Sequence, residues 1–379
     1  MKQSKKILIA NRGVIAIRAL RAARELGYSV ASVYSTIDRD QKHLKLSDEA
    51  ICIGPPETKD SYLNEAAIIS AAELSGADAI YPGFGFLAEN ASFAEKCRES
   101  GFKFIGPDPE VIAIMGDKIK AKELAKSLNI PVVPGYEGEI STENEAIKIV
   151  EEIGYPVIIK ASAGGGGRGM RVVNSSDELW QSIQSAQNEA ELAFGDGKIF
   201  IEKYLKKPRH IEVQIFGNGK GEAVHLFTRD CSLQRKYQKI VEEAPALNID
   251  NQKLEEIQNL SVEACKKLNY EGAGTIEFLY ENNDFYFIEM NTRIQVEHTV
   301  TEMITGVDLV QAQLLLALEN KYDFKQEDLK VNGHAMQCRI NAEDPETFVP
   351  SPGRIERVHR PGGYLSLIHI SEPTRHLFI

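Results

Sequence analysis

The N-terminal stretch alternates between strand-like and helix-like hydrophobic patterns, and this alternation constrains the fold more than any other feature of the chain. An apolar run at 7–10 predicts a strand, an Asn-Arg-Gly turn follows, and a helical pattern over 14–26 ends at Gly27. A second strand is predicted at 29–34, and the alternation continues to about Pro107. Because strands linked through helices run parallel, the sequence predicts a doubly wound parallel sheet.

The rest of the chain divides into two further patterns. Residues 108–130 read as helical, and 132–205 read as a small unit of strands and helices. Beyond this unit the pattern favours antiparallel strands at HIEVQIFG, EAVHLFTRD, GTIEFLY and DFYFIEMN. The last two are joined by a compact turn over 281–284, which predicts a β-hairpin. The predicted fold class is therefore mixed, with an α/β N-terminal domain followed by α+β units.

A glycine-rich loop, GGGGRG at 164–169, separates two predicted strands. The string matches G-x-G-x-x-G, but a strand follows it where a dinucleotide-binding motif requires a helix, and no Lys-Ser/Thr follows a glycine as in a Walker A motif. Without Cβ atoms, backbone N–H groups can approach a polyphosphate closely. With Lys160 at the end of the preceding strand, the loop predicts a phosphate lid; the alternative is a flexible surface turn.

Acidic side chains are expected to meet on the predicted hairpin. Because side chains alternate along a strand, Glu289, Asn291 and Arg293 should share a face, and Glu277 on the preceding strand should stand opposite them. Carboxylates that converge repel one another unless a cation lies between them, and oxygen ligands favour Mg²⁺ or Mn²⁺. The sequence therefore predicts a metal site at Glu277, Glu289 and Asn291. The alternative is an exposed polar face.

The same alternation, if the chain stays extended through NTRIQVEH, places Arg293, Gln295 and Glu297 on one side and His298 on the other. A guanidinium beside a carboxylate suits a small planar anion, because the arginine binds two oxygens and the glutamate can remove a proton. The competing interpretation is a plain salt bridge.

Charge and cysteine usage narrow the class of protein. The net charge of −11 argues against a protein that binds nucleic acid through phosphate contacts. Apolar runs are too short to span a bilayer, so no membrane partner is expected. The cysteines are far apart and lack a C-x-x-C motif, which is typical of reduced thiols in a cytoplasmic protein; they are Cys52, Cys97, Cys231, Cys265 and Cys338.

Several stretches, in this order, resemble biotin carboxylase, a family of ATP-grasp ligases: YPGFGFLAEN, MGDK, GGGGRGM, PRHIEVQ, GAGTIEFLY, FIEMNTRIQVEH and CRINAEDP. The resemblance extends from about Ile7 to Tyr364. It implies an N-terminal domain over 1–115, linker helices and an ATP-grasp lid over 116–204, and a catalytic domain with the start of a C-terminal domain over 205–364.

The resemblance implies a set of nucleotide and metal contacts. Near the phosphates of ATP it places Gly166, Gly167, Met170, Lys118 and Lys160. At and near the adenine it places Glu202, Lys203, Leu205, His210 and Gln234. The metal ligands that it implies are Glu277, Glu289 and Asn291, which agrees with the argument from the hairpin.

It also implies how bicarbonate and biotin are handled. The bicarbonate contacts are Arg293, Gln295, Val296 and Glu297, and Glu297 is the general base. Lys239 would contact carboxyphosphate, and Arg339 would stabilise the enolate oxygen of biotin. The implied partners are a biotin carboxyl carrier protein and a carboxyltransferase. A homodimer is expected where the C-terminal domain is complete.

Some residues depart from the family pattern. Val14, Phe84 and Tyr237 stand where the family commonly has glutamate, tyrosine and histidine. After Tyr364 the family sequence continues, whereas residues 365–379 do not resemble it, which we interpret as a non-family tail from a frameshift or a joined foreign sequence. Two alternatives stay open at this point, namely another ATP-grasp ligase of the carbamoyl-phosphate or purine pathways, and a nucleotide-binding module without turnover.

Overall fold

The computed structural model of the protein describes residues 4–136, 138, 140, 142–161, 171–194, 197–235, 238–351, 353 and 357. Contacts between residues group the chain into two compact units. The first comprises Met1–Asn129, His210–Phe278 and Glu289–Ile379, and the second comprises Ile130–Arg209 and Leu279–Ile288. The domain boundaries near residues 115, 204 and 364 stay predictions.

The first unit contains the five-stranded parallel sheet that the N-terminal alternation predicts, in the order β3-β2-β1-β4-β5. On β1, Ile7 and Ile9 belong to one buried cluster, whereas Leu8 and Ala10 belong to another, so the sheet is covered on both faces. Its elements are β1 (Lys6–Ile9), α1 (Gly13–Glu25), β2 (Ser29–Ser35), α2 (Lys42–Leu46), β3 (Glu49–Gly54), α3 (Glu65–Ser75), β4 (Ala79–Tyr81), α4 (Ala91–Glu99) and β5 (Lys103–Phe104).

The helical pattern over 108–130 is two helices, α5 (Pro109–Gly116) and α6 (Lys118–Ser127). Asp117 separates them, because its carboxylate accepts hydrogen bonds from the backbone N–H groups of Ile119 at 3.0 Å and Lys120 at 3.2 Å. An aspartate in this position is an N-cap, so a new helix begins after it.

The second unit has a four-stranded sheet in the order β6-β9-β7-β8, and β9 pairs antiparallel with β6 and β7. Buried Val157, Ile159 and Ile201 form its core with the helices. The elements are β6 (Gly135–Tyr136), α7 (Glu143–Ile153), β7 (Val157–Ala161), β8 (Arg171–Val173), α8 (Ser176–Phe194) and β9 (Ile199–Lys203). The glycine loop at 164–169 and Met170 lie outside the described residues, so the phosphate lid stays a prediction.

A six-stranded sheet follows, in the order β14-β13-β10-β11-β12-β15. The predicted hairpin is confirmed: Asn282 and Asn283, between β13 and β14, both have positive φ (53° and 67°), as a tight two-residue turn requires. The elements are β10 (Arg209–Asn218), β11 (Ala223–Arg235), β12 (Gln238–Ala244), α9 (Asn251–Lys267), β13 (Glu271–Glu281), β14 (Asp284–Asn291), α10 (His298–Thr305), α11 (Leu309–Glu319) and β15 (Ala335–Cys338).

Within the described ranges, no single helix has the length and apolar composition to cross a membrane. The α10–α11 pair meets these criteria only when its two helices are taken together, and they are bent by 93°.

Candidate active site

The six-stranded sheet gathers buried polar side chains where β10, β13 and β14 lie beside one another. Glu277 on β13 is 5% exposed, and Glu212 on β10 is fully buried. The segment over 292–297, between β14 and α10, contributes buried Gln295 and Glu297 to the same region. A buried charge without a partner raises the free energy of the folded state. The partners of these side chains therefore decide what the site can do.

Glu277 connects the residues expected to bind metal with those expected to bind the anion. Its Oε1 accepts hydrogen bonds from Lys239 Nζ at 2.9 Å, Asn291 Nδ2 at 2.8 Å and Gln295 Nε2 at 2.7 Å. Its Oε2 lies 2.9 Å from His210 Nε2. The structure therefore brings four of the predicted site residues together around the carboxylate of a fifth, Glu277.

The ammonium group of Lys239 contacts three carboxylates. It donates to Glu212, to Glu277, and to Glu297 at 2.8 Å. Burial alone would lower the pKa of Lys239, but the three carboxylates, Glu212 first, outweigh it and raise the pKa above its ordinary value. Lys239 is consequently a fixed positive charge at neutral pH.

His210 is a second positive charge in the site. Burial opposes protonation of its ring, but the neighbouring carboxylates of Glu212 and Glu277 raise the pKa of His210 to about 9. Burial likewise opposes the charge on Glu277, and nearby His210 together with the charge of Lys239 lowers the pKa of that carboxyl. Both partners are therefore charged at neutral pH.

Glu289 stands apart from this network. In the described part of the chain, two groups of histidine, cysteine or acidic residues have ligand atoms within 4.8 Å of one another, His210 with Glu212 and Glu277, and Glu212 with Cys231 and Glu297. Glu289 belongs to neither. Glu289 is exposed on β14, and desolvation followed by repulsion from the charge of Glu277 raises the pKa of its carboxyl above the ordinary value. Such a pair fits a divalent cation, which would remove the repulsion.

Arg293 is held by a residue two positions before it and by a residue from the N-terminal part of the chain. Its Nη2 donates to Asn291 Oδ1 at 2.7 Å, and its Nε donates to Glu89 Oε2 at 2.7 Å. The chain is not extended here, because it bends at 292–293, turns at 296–297 and enters α10 at His298. The predicted alternation of faces is therefore wrong for this segment, and both Glu297 and His298 are buried.

Arg339, just after β15, reaches the same site. Its Nη2 donates to Glu297 Oε2 at 3.0 Å and its Nε to Glu242 Oε1 at 2.5 Å. The antiparallel pairing of β15 with β12 positions it, and the Arg339 backbone N–H donates to the carbonyl of Ile240. Glu297 thus has a cation at each oxygen.

The second unit holds the residues expected at the adenine and one phosphate. Lys160 Nζ is 2.5 Å from Glu202 Oε2, and Lys203 Nζ donates to the carbonyls of Gly154 at 2.8 Å and Tyr155 at 2.9 Å. Leu205 is half-buried beyond β9. All four residues therefore lie within this unit.

The other expected residues lie on the first unit or outside the described ranges. Lys118 is exposed at the start of α6, Val296 is half-buried, and Gln234 Nε2 donates to the carbonyl of Cys231 at 2.9 Å. Gly166, Gly167, Met170 and Tyr237 are not among the described residues.

Sequence reasoning assigned no role to four residues that contact this network. Glu89 holds Arg293, Glu212 holds Lys239, Glu242 holds Arg339, and Arg229 is buried behind Gln295. Glu212 lies on the polar face of HIEVQIF together with His210, and that pattern could have indicated it. The other three become apparent only when distant elements meet.

The comparisons with known proteins agree with this geometry. Residues 3–112 match the model of the biotin carboxylase N-terminal domain, and residues 117–325 match that of the carbamoyl-phosphate synthase L chain ATP-binding domain. The chain is 58% identical to biotin carboxylase of Haemophilus influenzae over 359 residues, which cover 94% of this chain and 80% of that protein.

Solved structures give the same result. The biotin carboxylase–βγ-ATP complex from Campylobacter jejuni is 50% identical with a TM-score of 0.85, covering 96% of this chain and 81% of that one. The biotin carboxylase domain dimer of Hydrogenobacter thermophilus 2-oxoglutarate carboxylase, in complex with MgADP, ADP and bicarbonate, is 49% identical with a TM-score of 0.84 and covers 96% and 81%. The predicted fold class and resemblance are confirmed. The chain belongs to the biotin carboxylase family.

Proposed function

We propose that the protein uses ATP and bicarbonate to carboxylate biotin held on a carrier protein, with the residues around Glu297 as the reaction centre. One observation carries this proposal: Lys239 and Arg339 converge on the two oxygens of Glu297, and Gln295 lies in the same network. The two cations favour binding of an anion, and the carboxylate between them is a group that can remove a proton from it.

Bicarbonate binding falls to the residues that bear donors. Arg293 offers a guanidinium, Gln295 an amide and Val296 a backbone N–H beside Glu297. Glu297 takes the proton of bicarbonate, and the resulting oxygen attacks the γ-phosphorus of ATP to give carboxyphosphate and ADP. Positioning and charge neutralisation dominate such a transfer, and both are supplied by side chains that are already ordered by hydrogen bonds.

The acidic residues of the hairpin fit a divalent cation. Desolvation and then repulsion from Glu277 raise the pKa of Glu289. The Asn291 amide lies beside Glu277, with its nitrogen on that carboxylate and its oxygen accepting from Arg293. We assign Glu277, Glu289 and Asn291 as ligands of Mg²⁺ or Mn²⁺. When bound, the ion would neutralise phosphate charge during the transfer. For ATP itself we assign Lys118, Lys160, Glu202, Lys203, Leu205, His210, Gln234, Gly166, Gly167 and Met170.

The second half of the reaction uses the other cations. Carboxyphosphate breaks its C–O bond to give CO₂ and phosphate, and Lys239 offsets the charge that the phosphate carries. The phosphate takes the ureido proton of biotin, Arg339 stabilises the oxygen that becomes negative, and the nitrogen attacks CO₂. Exclusion of water keeps carboxyphosphate from hydrolysis.

The family acts with a biotin carboxyl carrier protein and a carboxyltransferase, and we propose both as partners. A dimer is present in the Hydrogenobacter relative, and we propose a homodimer for this protein as well. A cytoplasmic location is supported by the cysteines, all five of which are free thiols. The final carboxyl acceptor, for example acetyl-CoA, propionyl-CoA or pyruvate, is chosen by the transferase.

Phosphate release from ATP tests the proposal. Release that requires bicarbonate and that free biotin accelerates supports a biotin carboxylase. Release that requires an amine or a nucleotide would instead indicate a ligase of the carbamoyl-phosphate or purine pathways. The similarity to biotin carboxylase over 94% of the chain does not favour this alternative. Nucleotide binding without any release would indicate a binding module.

A further inference from the structure

Arg229, in the middle of β11, is the largest fully buried side chain in the described part of the chain. A buried guanidinium costs a large desolvation energy unless each of its donors is paired. It offers five N–H donors in a fixed plane, and all five are used here. The acceptors are Glu212 Oε2 at 2.9 Å, Gln214 Oε1 at 2.6 Å, Thr301 Oγ1 at 2.9 Å, Thr275 Oγ1 at 3.0 Å and Gln295 Oε1 at 2.5 Å.

The acceptors come from four parts of the first unit. They lie on β10, on β13, on α10 and on the irregular segment over 292–297. That segment carries the anion-binding residues and has no sheet ladder of its own to hold it in place. Through its hydrogen bond to Gln295, Arg229 connects this segment to the sheet.

The contact also decides which way the Gln295 amide faces. A guanidinium donates and cannot accept, so the amide oxygen must point to Arg229 and the amide nitrogen must point away from it. The nitrogen donates to Glu277 Oε1 at 2.7 Å, on the side where Lys239 and Asn291 also donate. Arg229 thereby presents Gln295 to the reaction centre as a hydrogen-bond donor, which is what an anion requires.

The two oxygens of Glu212 likewise have different partners. Its Oε2 accepts from Arg229, and its Oε1 accepts from Lys239. Arg229 thus leaves one oxygen to hold the ammonium group while it offsets the buried charge of the carboxylate. Arg229 itself makes no hydrogen bond to Glu277 or Glu297 among the contacts described.

We propose that Arg229 is a positioning residue for bicarbonate: it fixes the Gln295 amide with its N–H₂ group toward the anion. The inference rests on the proposed function, because it assigns bicarbonate as the anion. Arg229 itself does not contact the substrate in this proposal, because it acts through Gln295.

A double-mutant cycle with full-length protein tests this role. Steady-state phosphate release gives KM for bicarbonate at saturating ATP and KM for ATP at saturating bicarbonate. Arg229→Lys keeps the charge but lacks the planar guanidinium that donates to Gln295 Oε1. Gln295→Ala removes the amide. Each is expected to raise KM for bicarbonate about tenfold or more, the effect of losing one hydrogen bond to a charged group, with KM for ATP little changed. The double variant should match the single variants.

Independent effects would multiply to about a hundredfold, and that result would overturn the proposal. Thr301→Val is the matched control, because it removes another acceptor of Arg229 without touching Gln295. It should lower Tm and leave KM for bicarbonate unchanged. A raised KM for bicarbonate in this control would mean that any damage around Arg229 suffices, which also contradicts the proposal.

A second comparison stands even if Arg229→Lys does not fold. Gln295→Glu keeps an oxygen for Arg229 but has no N–H₂ group, whereas Gln295→Met has neither. We expect KM for bicarbonate to rise in both variants. Tm should also fall in both, in Gln295→Glu because its second oxygen meets Glu277 Oε1 and in Gln295→Met because Arg229 loses an acceptor. Wild-type KM for bicarbonate in Gln295→Glu would overturn the proposal. Absence of bicarbonate-dependent turnover in the unchanged protein would instead contradict the proposed function, so the two failures are distinguishable.

Discussion

Glu297 and Arg339 form an ion pair, with 3.0 Å between Oε2 and Nη2, although one residue precedes α10 and the other follows β15. The other oxygen of Glu297 accepts from Lys239 at 2.8 Å. The proposed base is therefore next to the group assigned to carboxyphosphate and the group assigned to biotin. The side chains that we propose for removing the bicarbonate proton and for stabilising the biotin oxygen therefore contact each other.

Changing Glu297 to Gln should remove bicarbonate-dependent turnover while nucleotide binding persists. The amide keeps the shape of the side chain but cannot take a proton, and loss of a general base costs about 10²–10⁴-fold in rate. Calorimetry with a nucleotide and phosphate release measure the two properties. Glu263→Gln, on the exposed face of α9, is the control and should behave as the unchanged protein. Turnover within a few-fold of the control would refute the role of base.

Changing Arg339 to Met should separate the two half-reactions. Basal bicarbonate-dependent phosphate release should persist in part, whereas the component stimulated by free biotin should fall by about 100-fold, because the negative oxygen loses its cation. The measurement is phosphate release over a biotin titration, with Arg98→Met on the surface of α4 as control. Equal loss of both components would show that Arg339 serves mainly to hold Glu297.

Changing Glu289 to Lys should abolish metal-dependent use of ATP. The substitution replaces a proposed ligand with a cation, and we expect turnover to fall by about 100-fold at Mg²⁺ concentrations that saturate the unchanged protein. A Mg²⁺ titration after treatment with a chelator gives the dependence. Glu256→Lys, on α9, makes the same charge change at an exposed site. Normal Mg²⁺ dependence in Glu289→Lys would exclude it as a ligand.

His225 on β11 should make the folded protein sensitive to acid. Its side chain is 8% exposed, and burial lowers the pKa of His225 from 6.5 to about 4. The native state therefore keeps the ring neutral, so its contribution is fully present above pH 6.5, declines as the unfolded chain takes up a proton below that pH, and is lost once pH falls through 4. The loss amounts to about 3 kcal/mol of unfolding free energy.

Replacement of His225 by Phe should flatten the stability profile between pH 6.5 and 4, and the new ring can still pack edge-on against Phe227. Urea unfolding across this range measures the slope. The exposed His334, changed to Phe, is the control. An unchanged slope in His225→Phe would show that other groups cause the loss of stability in acid.

Local patterns predicted most of the fold. The alternation on β1 and β2 and the turn between β13 and β14 depend on near neighbours, and both are confirmed. The break between α5 and α6 was missed because an N-cap at Asp117 interrupts a hydrophobic pattern that otherwise continues.

The candidate site was predictable only where its residues share a strand or a motif. Glu277 and Asn291 meet on the predicted hairpin. Glu89 and Arg293 are separated by 204 positions, and the five bonds of Arg229 require four elements to come together. Neither contact is encoded by a periodic pattern, because each depends on the packing of distant parts of the chain.

The central claim, that bicarbonate attacks ATP at this site, is tested most directly with ¹⁸O-labelled bicarbonate. If bicarbonate attacks the γ-phosphorus and carboxyphosphate later breaks at carbon, each phosphate released in the presence of biotin should carry one oxygen from bicarbonate. Mass spectrometry of the phosphate measures this transfer. Phosphate whose new oxygen comes only from water would contradict the account.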